Sequence, residues 1–334
     1  MIARDDARRV RVGVLGCADI AWRRTLPAML AVPEIELTAM ASRSAAKAAR
    51  FAARFGGEPV EGYERVLADP GVDAVYLPLP VHLHSAWTER ALRAGKHVLV
   101  EKPLAASAAD ARKVLALARD RGLVLYENFM FLHHSQHAAV RRLVSEGAIG
   151  ELRNFDSAFT IPPRPPGDIR YEPGLGGGAL LDIGLYPIRA AMMLIGELDV
   201  VGAVLCRDPD RGAVLSGSVL ACGPGGVAVS AVFGMEHSYR TSYALSGSTG
   251  RLSTERVFTP PDGHQPVLRI ERQDHREEIV LPADAQFVNV LRRFAAAVLH
   301  GEDIRAAQDE AVMQADVVEQ ITAVARTVYR KISA

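Results

Sequence analysis

The sequence has few cysteines, no net charge and no long apolar run. Only three of its 334 residues are cysteines, an odd and widely spaced set that excludes a fully paired disulfide framework and is typical of a reducing compartment. Lysine plus arginine number 39, and so do aspartate plus glutamate, so no long-range field favours nucleic acid or a membrane. Gly, Ser or Pro breaks the apolar stretches well short of the roughly 18 residues of a membrane span.

The start of the chain also lacks the apolar core of a secretory signal, because Arg4, Asp5 and Asp6 follow the first three residues. We therefore expect a soluble, cytoplasmic protein. The length exceeds that of one average domain, and a hydrophobic content of 49% can supply two cores.

The first part of the chain alternates strand-like and helix-like segments. Strands are predicted at 10–15, 35–41, 74–77, 98–100 and 123–126, with helices at 20–31, 45–55, 85–94 and 108–121 between them. This rhythm is typical of βαβ units on a parallel sheet. We predict an α/β protein whose residues 1–127 form a Rossmann dinucleotide-binding domain.

Strand-like alternation dominates after about residue 150. It covers 152–160, 200–206, 214–220, 227–233, 243–246 and 267–272, and later helices are predicted only at 287–299 and 311–329. We predict that residues 128–334 form an α+β domain for substrate binding and oligomerisation, with a C-terminal helix at about 308–330 that packs back on the first domain. Its large, mostly antiparallel sheet has one face for a partner subunit, giving a homodimer or homotetramer.

A candidate phosphate-binding loop follows the first strand. Gly16 permits a tight turn and Ala21 a close helix–strand approach, but Ala18 replaces the usual middle glycine. The loop alone therefore fits an ordinary strand–helix turn equally well. As a dinucleotide site it would place phosphates on the amides at the helix start. Its predicted contacts are Gly16, Cys17, Ala18, Asp19, Ile20 and Arg23.

The second strand ends without the acidic residue that binds a ribose 2′-hydroxyl in NAD sites. Ser42 and Arg43 instead offer a hydroxyl and a guanidinium, which suit a 2′-phosphate. The alternative is that Arg43 is an ordinary exposed loop arginine. The pattern favours NADP(H) as the cofactor.

A charged pair, Glu101 and Lys102, stands directly behind the apolar run 98–100, and Pro103 prevents the strand from continuing. The carboxyl ends of buried strands are where open α/β sheets bind their ligands. We therefore expect both charged side chains at the cofactor site.

With this triplet in place, the chain resembles the oxidoreductase family named for glucose-fructose oxidoreductase, inositol dehydrogenase and a rhizopine-catabolism protein (Gfo/Idh/MocA). Segments 76–84, 126–130, 146–152 and 176–187 resemble four further family motifs in the same order. The resemblance runs nearly end to end and implies that Leu79, His84, Glu101 and Asn128 lie along the cofactor.

Reduction of a ketone by hydride builds negative charge on oxygen, so the site needs a proton donor and a nearby cation. Lys102 offers both, and Tyr186, where many family members have histidine, offers a proton. We favour Lys102 as the acid and Tyr186 as a hydrogen-bonding auxiliary. Asp182, four residues before Tyr186, shares its face if this stretch is helical, and would hold substrate or orient the tyrosine. Pro187 weighs against a regular helix there.

Two arginines and a histidine cluster complete the candidate residues. Arg164 and Arg170 flank a proline-rich segment and are either solvated charges or contacts to an anionic substrate. His133, His134 and His137 lack a carboxylate or cysteine to complete a metal site, so we expect no metal.

The resemblance is closest to the actinomycete deoxysugar C-3 ketoreductases. It implies NADPH-dependent reduction, at C-3, of a dTDP-linked 3,4-diketo-2,6-dideoxy sugar in antibiotic glycoside biosynthesis, with substrate contacts from Lys102, Arg164, Arg170, Asp182 and Tyr186. One alternative is an NADP-dependent dehydrogenase of a free sugar or a trans-dihydrodiol. The other is a non-catalytic NAD(P)-sensing regulator, which would tolerate loss of Lys102 or Tyr186.

Overall fold

The computed structural model describes residues 8–175 and 177–331. The described chain divides into two compact units. The first unit contains the chain up to Met130 together with Phe287–Val312, and the second contains Phe131–Gln286 together with the chain from Met313 onward. The charged start and Gly176, both used in the sequence-based predictions, lie outside the described residues. The predicted boundary after residue 127 stays a prediction.

The first unit is built on six parallel strands within its described residues: β1 (Val10–Leu15), β2 (Ile35–Ser42), β3 (Glu58–Glu61), β4 (Ala74–Leu77), β5 (His97–Glu101) and β6 (Leu125–Asn128). Their order is β3-β2-β1-β4-β5-β6, so the direction of winding reverses between β1 and β4. Open sheets bind ligands beyond the carboxyl ends of their strands at such a reversal. The predicted cofactor residues lie at or after the carboxyl ends of β1, β2, β4, β5 and β6.

Helices flank this sheet: α1 (Leu26–Leu30), α2 (Ala45–Phe55), α3 (Glu64–Ala68), α4 (His84–Arg93) and α5 (Ala108–Asp120). A π-helical turn, Ala21–Thr25, leads into α1. The hydroxyls of Ser44 and Ser107 cap α2 and α5 by accepting backbone N–H groups three residues on, which explains why these helices begin as predicted.

The second unit is built on nine strands among its described residues: β7 (Leu152–Thr160), β8 (Asp199–Arg207), β9 (Val214–Cys222), β10 (Ala228–Gly234), β11 (Arg240–Gly247), β12 (Arg251–Glu255), β13 (Val267–Arg272), β14 (His275–Val280) and β15 (Ala325–Tyr329). The order is β14-β13-β12-β11-β7-β10-β9-β8-β15. Two neighbouring pairs, β7 with β10 and β8 with β15, are parallel, and the other pairs are antiparallel. The predicted fold class is therefore confirmed for both sheets.

One face of this large sheet is covered by helix. Helix α7 (Leu185–Ile195) packs on β7 and β10, while α6 (Ser135–Ser145) hydrogen-bonds to β11 through His137. A Cβ on Gly184 would lie 3.1 Å from the Phe233 ring, so glycine permits the close approach of the α7 segment to the sheet. The opposite face exposes apolar side chains, with Val201 70% and Leu220 59% exposed.

The C-terminal prediction needs correction. The last helix, α9, spans Arg305–Val324, and residues Ala325–Tyr329 form strand β15 beside β8. The sequence there, with Thr327, Val328 and Tyr329, has β-forming residues, and pairing with β8 outweighs helical continuation. Residues of α9 up to Val312 belong to the first unit, as does α8 (Gln286–His300) from Phe287 onward.

Strands β3, β12 and β14 and helices α3 and α6 were not predicted from the sequence, and α7 entered only as a condition on the placement of Asp182. Strand β14 is mostly exposed and carries three charged residues at an edge of the sheet, so it lacks the apolar alternation that reveals half-buried strands.

By length and composition alone, the stretch Pro173–Ile195 is long and apolar enough to cross a membrane. It runs across Gly176, which lies outside the described residues. Most of its apolar part is buried, as in a core helix, so it is weak evidence for a membrane span.

Candidate functional site

The turn after β1 depends on Gly16. Its φ of +126° lies in a region that side-chain-bearing residues rarely adopt. Its N–H donates to the Ala41 carbonyl at 2.9 Å, and a Cβ would lie 2.8 Å from Cδ2 of Leu79. Two predicted cofactor residues, Gly16 and Leu79, are therefore in contact, and the turn has the bare backbone that a dinucleotide phosphate needs.

The residues after Gly16 are engaged locally. The Cys17 thiol points at the Ala41 carbonyl, 3.8 Å away, and its partial burial raises its pKa. The exposed Asp19 and Arg23 form an ion pair of 2.5 Å, so the predicted phosphate contact of Arg23 competes with a carboxylate four residues earlier.

At the end of β2, Ser42 and Arg43 differ in exposure. Ser42 is buried, and its hydroxyl accepts the N–H of Ser44 at 3.2 Å. Arg43 is exposed beside the capped start of α2. The guanidinium is thus the better placed of the two for an exposed phosphate.

His84 links two loops of the first unit. Its ring is 1% exposed, with Nδ1 2.7 Å from the Pro103 carbonyl and Nε2 2.8 Å from the Leu79 carbonyl. Burial lowers the pKa of His84, while the two carbonyls raise it. Because both ring nitrogens face backbone oxygens, this geometry supports a role in holding the loops rather than a direct polar contact with the cofactor.

The segment around Lys102 is fixed on both sides. Before it, the Glu101 carboxylate accepts hydrogen bonds at 2.7 Å from the Tyr76 hydroxyl and from Nδ2 of Asn128. After it, the N–H of Leu104 donates to the Glu127 carboxylate at 2.9 Å. Half-buried Lys102 therefore sits in a backbone segment held by side chains from two neighbouring strands.

Burial raises the pKa of Glu101, and it also raises the pKa of Tyr76 well above its usual value. The hydrogen bonds from Tyr76 and Asn128 and the nearby charge of Lys102 act in the opposite direction on Glu101, because each favours the ionised carboxylate.

Tyr186 lies in the first turn of α7 and is 5% exposed. Its ring centroid is 5.0 Å from that of Phe159 and 5.5 Å from those of Phe131 and Phe258. These three phenylalanines fix the plane of the tyrosine ring independently of its hydroxyl. Pro187 sits in the same turn, where helices tolerate proline.

Asp182 lies on a π-helical turn, Leu180–Gly184, directly before α7, so the condition that this stretch is helical is met, although the turn is irregular. Its Oδ2 accepts a hydrogen bond from Nε of Arg170. Nη1 of Arg170 also contacts both carboxylate oxygens of Asp168, at 3.0 and 3.1 Å. Nε of Arg164 contacts the same Asp168 at 3.3 Å.

These contacts give the two arginines different environments. Burial lowers the pKa of Arg170. The charges and hydrogen bonds of Asp182 and Asp168 raise the same pKa by a larger amount, so the net direction is upward. Arg164 is 40% exposed at its side chain and has a longer contact to a carboxylate that Arg170 also uses. Arg164 is the cation more available to a substrate.

Several side chains that shape these groups were not predicted. Tyr76 and Thr25 came from segments interpreted as strand and helix, Glu127 from a segment that resembles a family motif, and Asp168 from the irregular proline-rich loop. The sequence spacing could have revealed Asp168 as a partner of Arg170, because a carboxylate two residues away is close enough to pair with the guanidinium. Within residues 8–175 and 177–331, no group of three or more His, Cys, Asp or Glu side chains is arranged to hold a metal.

Comparison with known proteins identifies both halves of the chain. Residues 10–129 match the model of an oxidoreductase family with an NAD-binding Rossmann fold, and residues 137–253 match the GFO/IDH/MocA C-terminal domain. The predicted family resemblance is confirmed.

The chain is similar over nearly its whole length to proteins named as reductases. It is 55% identical to the dTDP-3,4-didehydro-2,6-dideoxy-α-D-glucose 3-reductase of Actinomadura kijaniata, covering 97% of this chain and 98% of that protein. It is 54% identical to the reductase of the same name from Streptomyces antibioticus, covering 95% and 98%. A solved structure of a 3-ketoreductase from A. kijaniata with NADP and TDP-benzene superposes with a TM-score of 0.95 at 55% identity, covering 97% of this chain and 100% of that one.

Proposed function

The chain belongs to the Gfo/Idh/MocA oxidoreductase family, and we propose that it uses NADPH to reduce the C-3 keto group of dTDP-3,4-didehydro-2,6-dideoxy-α-D-glucose. The observation that carries this proposal is the 55% identity, over 97% of the chain, to a reductase named for that reaction. The contacts found within each unit are compatible with it.

The cofactor is NADP(H), and the residues at the carboxyl ends of the first sheet fit it. Gly16 supplies the tight turn, and the helix start behind it supplies amides for the phosphates. Exposed Arg43 supplies the cation for a 2′-phosphate. When bound, NADPH supplies the hydride.

Lys102 donates the proton in this proposal. As the carbonyl carbon is reduced, the N–H bond of the Lys102 ammonium breaks and a new O–H bond forms on the C-3 oxygen. The lysine is left as a neutral amine and regains its proton from solvent. Until the transfer is complete, its positive charge stabilises the developing alkoxide.

Tyr186 donates a hydrogen bond to the same oxygen, and its ring is held for this by Phe131, Phe159 and Phe258. Asp182 positions the substrate sugar. Because Arg170 is engaged by two carboxylates, Arg164 is the residue proposed to contact the diphosphate.

The wider setting is also a proposal. We place the reaction in cytoplasmic deoxysugar biosynthesis for antibiotic glycosides, with the nucleotide sugar as small-molecule partner. Equal numbers of acidic and basic residues give no support to a nucleic-acid or membrane partner. Exposed Val201, Leu220 and Val232 on the uncovered sheet face support a homo-oligomer, for which we propose a tetramer.

A substrate panel tests the proposed reaction. The protein is incubated with NADPH and the dTDP-linked diketo sugar, generated enzymatically in the same vessel, and separately with NADP⁺ and either D-xylose or a trans-dihydrodiol. We expect turnover of the diketo sugar and none of the others. Oxidation of xylose or the dihydrodiol without turnover of the diketo sugar would establish the alternative dehydrogenase, and no turnover with any of them would favour the sensing regulator.

A further inference from the structure

A buried tyrosine in the first unit is hydrogen-bonded to Glu101, the residue directly before Lys102. Tyr76 lies on β4, is 0% exposed, and its hydroxyl is 2.7 Å from Oε1 of Glu101 and 2.9 Å from Oγ1 of Thr25. A phenol has a single hydrogen, so Tyr76 can donate to only one of these oxygens at a time, and the shorter contact is the one to Glu101.

The Glu101 carboxylate accepts hydrogen bonds from three parts of the first unit. Tyr76 reaches it from β4, Nδ2 of Asn128 reaches the same oxygen from β6 at 2.7 Å, and the backbone N–H of Lys102 also donates to it. The charge of Lys102 acts on it as well. Because Tyr76 and Asn128 hydrogen-bond to the same oxygen, loss of the Tyr76 hydroxyl changes the set of contacts that holds this carboxylate in place.

We propose that Tyr76 is a positioning residue for Lys102, acting through Glu101. By holding the carboxylate against the N–H of residue 102, Tyr76 fixes the backbone from which the lysine side chain departs. This inference rests on the proposed function, in which Lys102 is the acid.

A purely structural role would predict something different. A buried phenol must find hydrogen-bond partners in any core, and Tyr76 could use Thr25 and Glu101 only for that purpose. Removing its oxygen would then lower the unfolding temperature without changing kcat.

The test compares Tyr76→Phe with Tyr243→Phe. Tyr243 is also a buried tyrosine whose hydroxyl has a partner, His137 Nδ1 at 2.9 Å, but it belongs to the second unit and has no place in the proposed chemistry. Both variants should unfold at a lower temperature than the wild type. Only Tyr76→Phe should reduce kcat, by about tenfold, which corresponds to one charge-assisted hydrogen bond.

Substrate and cofactor binding complete the test. In Tyr76→Phe the KM for the diketo sugar should stay within about twofold, because the inference places the loss at the reacting lysine and not in substrate binding. NADP⁺ affinity, titrated by the quenching of protein fluorescence, should stay within about twofold, since loop contacts such as Gly16 are intact. Glu101→Gln, which keeps the shape of the side chain but replaces the carboxylate that Tyr76 and Asn128 contact, should lower kcat in the same way and provides a second readout if Tyr76→Phe folds poorly.

Equal losses of unfolding temperature in the two tyrosine variants, with kcat unchanged in Tyr76→Phe, would overturn the inference. A parallel loss of NADP⁺ affinity and kcat would also overturn it, because the effect would then be on cofactor binding. If Lys102→Ala keeps wild-type kcat on the diketo sugar, the assignment of Lys102 fails; if Lys102→Ala is inactive and Tyr76→Phe is unaffected, only the role of Tyr76 fails.

Discussion

Nε of Arg170 donates a hydrogen bond to Oδ2 of Asp182, which ties the proline-rich loop to the segment that carries Tyr186. The pair lies within the second unit, and Arg170 also contacts Asp168. Two carboxylates thus balance the charge of one guanidinium, which leaves it little capacity for a substrate phosphate.

We therefore expect Arg164→Ala to weaken TDP binding by about tenfold or more, the value of one charge-assisted hydrogen bond. Arg170→Ala should mainly lower the unfolding temperature, because it leaves Asp168 and Asp182 without their common cation. Isothermal titration with TDP and thermal unfolding separate the two effects. Arg153→Ala is the matched control, since Arg153 is an exposed arginine of the same unit paired with Glu151. Stronger loss of TDP binding in Arg170→Ala than in Arg164→Ala would assign the phosphate contact to Arg170.

The proton donor can be identified by two substitutions. Lys102→Ala should lower kcat on the order of 10²–10⁴-fold, because it removes both a general acid and a positive charge. Tyr186→Phe should keep a clearly measurable rate, since the ring contacts with Phe131, Phe159 and Phe258 do not involve the hydroxyl. Single-turnover rates measure the chemical step in each variant. The opposite ranking would make Tyr186 the acid and leave Lys102 a positioning role.

Arg43 should determine cofactor preference. We expect a higher kcat/KM with NADPH than with NADH, and a loss of about tenfold for NADPH in Arg43→Ala, since one guanidinium–phosphate contact is removed. The value for NADH should stay nearly constant. Arg54→Ala is the control, because Arg54 lies on helix α2, which directly follows the loop of Arg43. Its guanidinium carbon lies 4.4 Å from the centroid of the Trp22 ring. Equal losses with both cofactors, or a wild-type preference for NADH, would contradict the role of Arg43.

The uncovered face of the large sheet should form a subunit interface. Leu220→Lys places a charge on this face, where burial against a second copy would be unfavourable, so it should shift the protein toward monomer. Val280→Lys at the sheet edge is the control, since Val280 is also exposed, at 60%, but lies on the outermost strand β14. Light scattering after size-exclusion chromatography gives the masses. A wild-type monomer at micromolar concentration would rule out this interface.

The sequence predicted the elements that have strong local signals. The apolar run before Glu101 and the proline after Lys102 place the lysine at a strand end, and the serine before Ala45 places the start of α2. Strand β15 was missed because pairing with β8, over a hundred residues earlier, decides its conformation.

The partners of the site residues were harder to predict. Tyr76 is one residue of an otherwise apolar strand. The sequence around it does not indicate that its hydroxyl contacts a carboxylate 25 residues later. The Arg170–Asp182 contact joins an irregular loop to a π-helical turn, for which no periodicity predicts the spacing. Long-range hydrogen bonds of this kind depend on the packed structure, so only the structure revealed them.

Transfer of deuterium tests the central claim most directly. NADPH carrying deuterium at C-4 of the nicotinamide, prepared in both stereochemical forms, is supplied with the dTDP-linked diketo sugar, and the product is analysed by mass spectrometry and NMR. The proposed function predicts that one of the two forms delivers its label to C-3 of the sugar, with one NADPH consumed per product. Label at C-4 of the sugar, or consumption of NADPH with no label in the sugar, would contradict it.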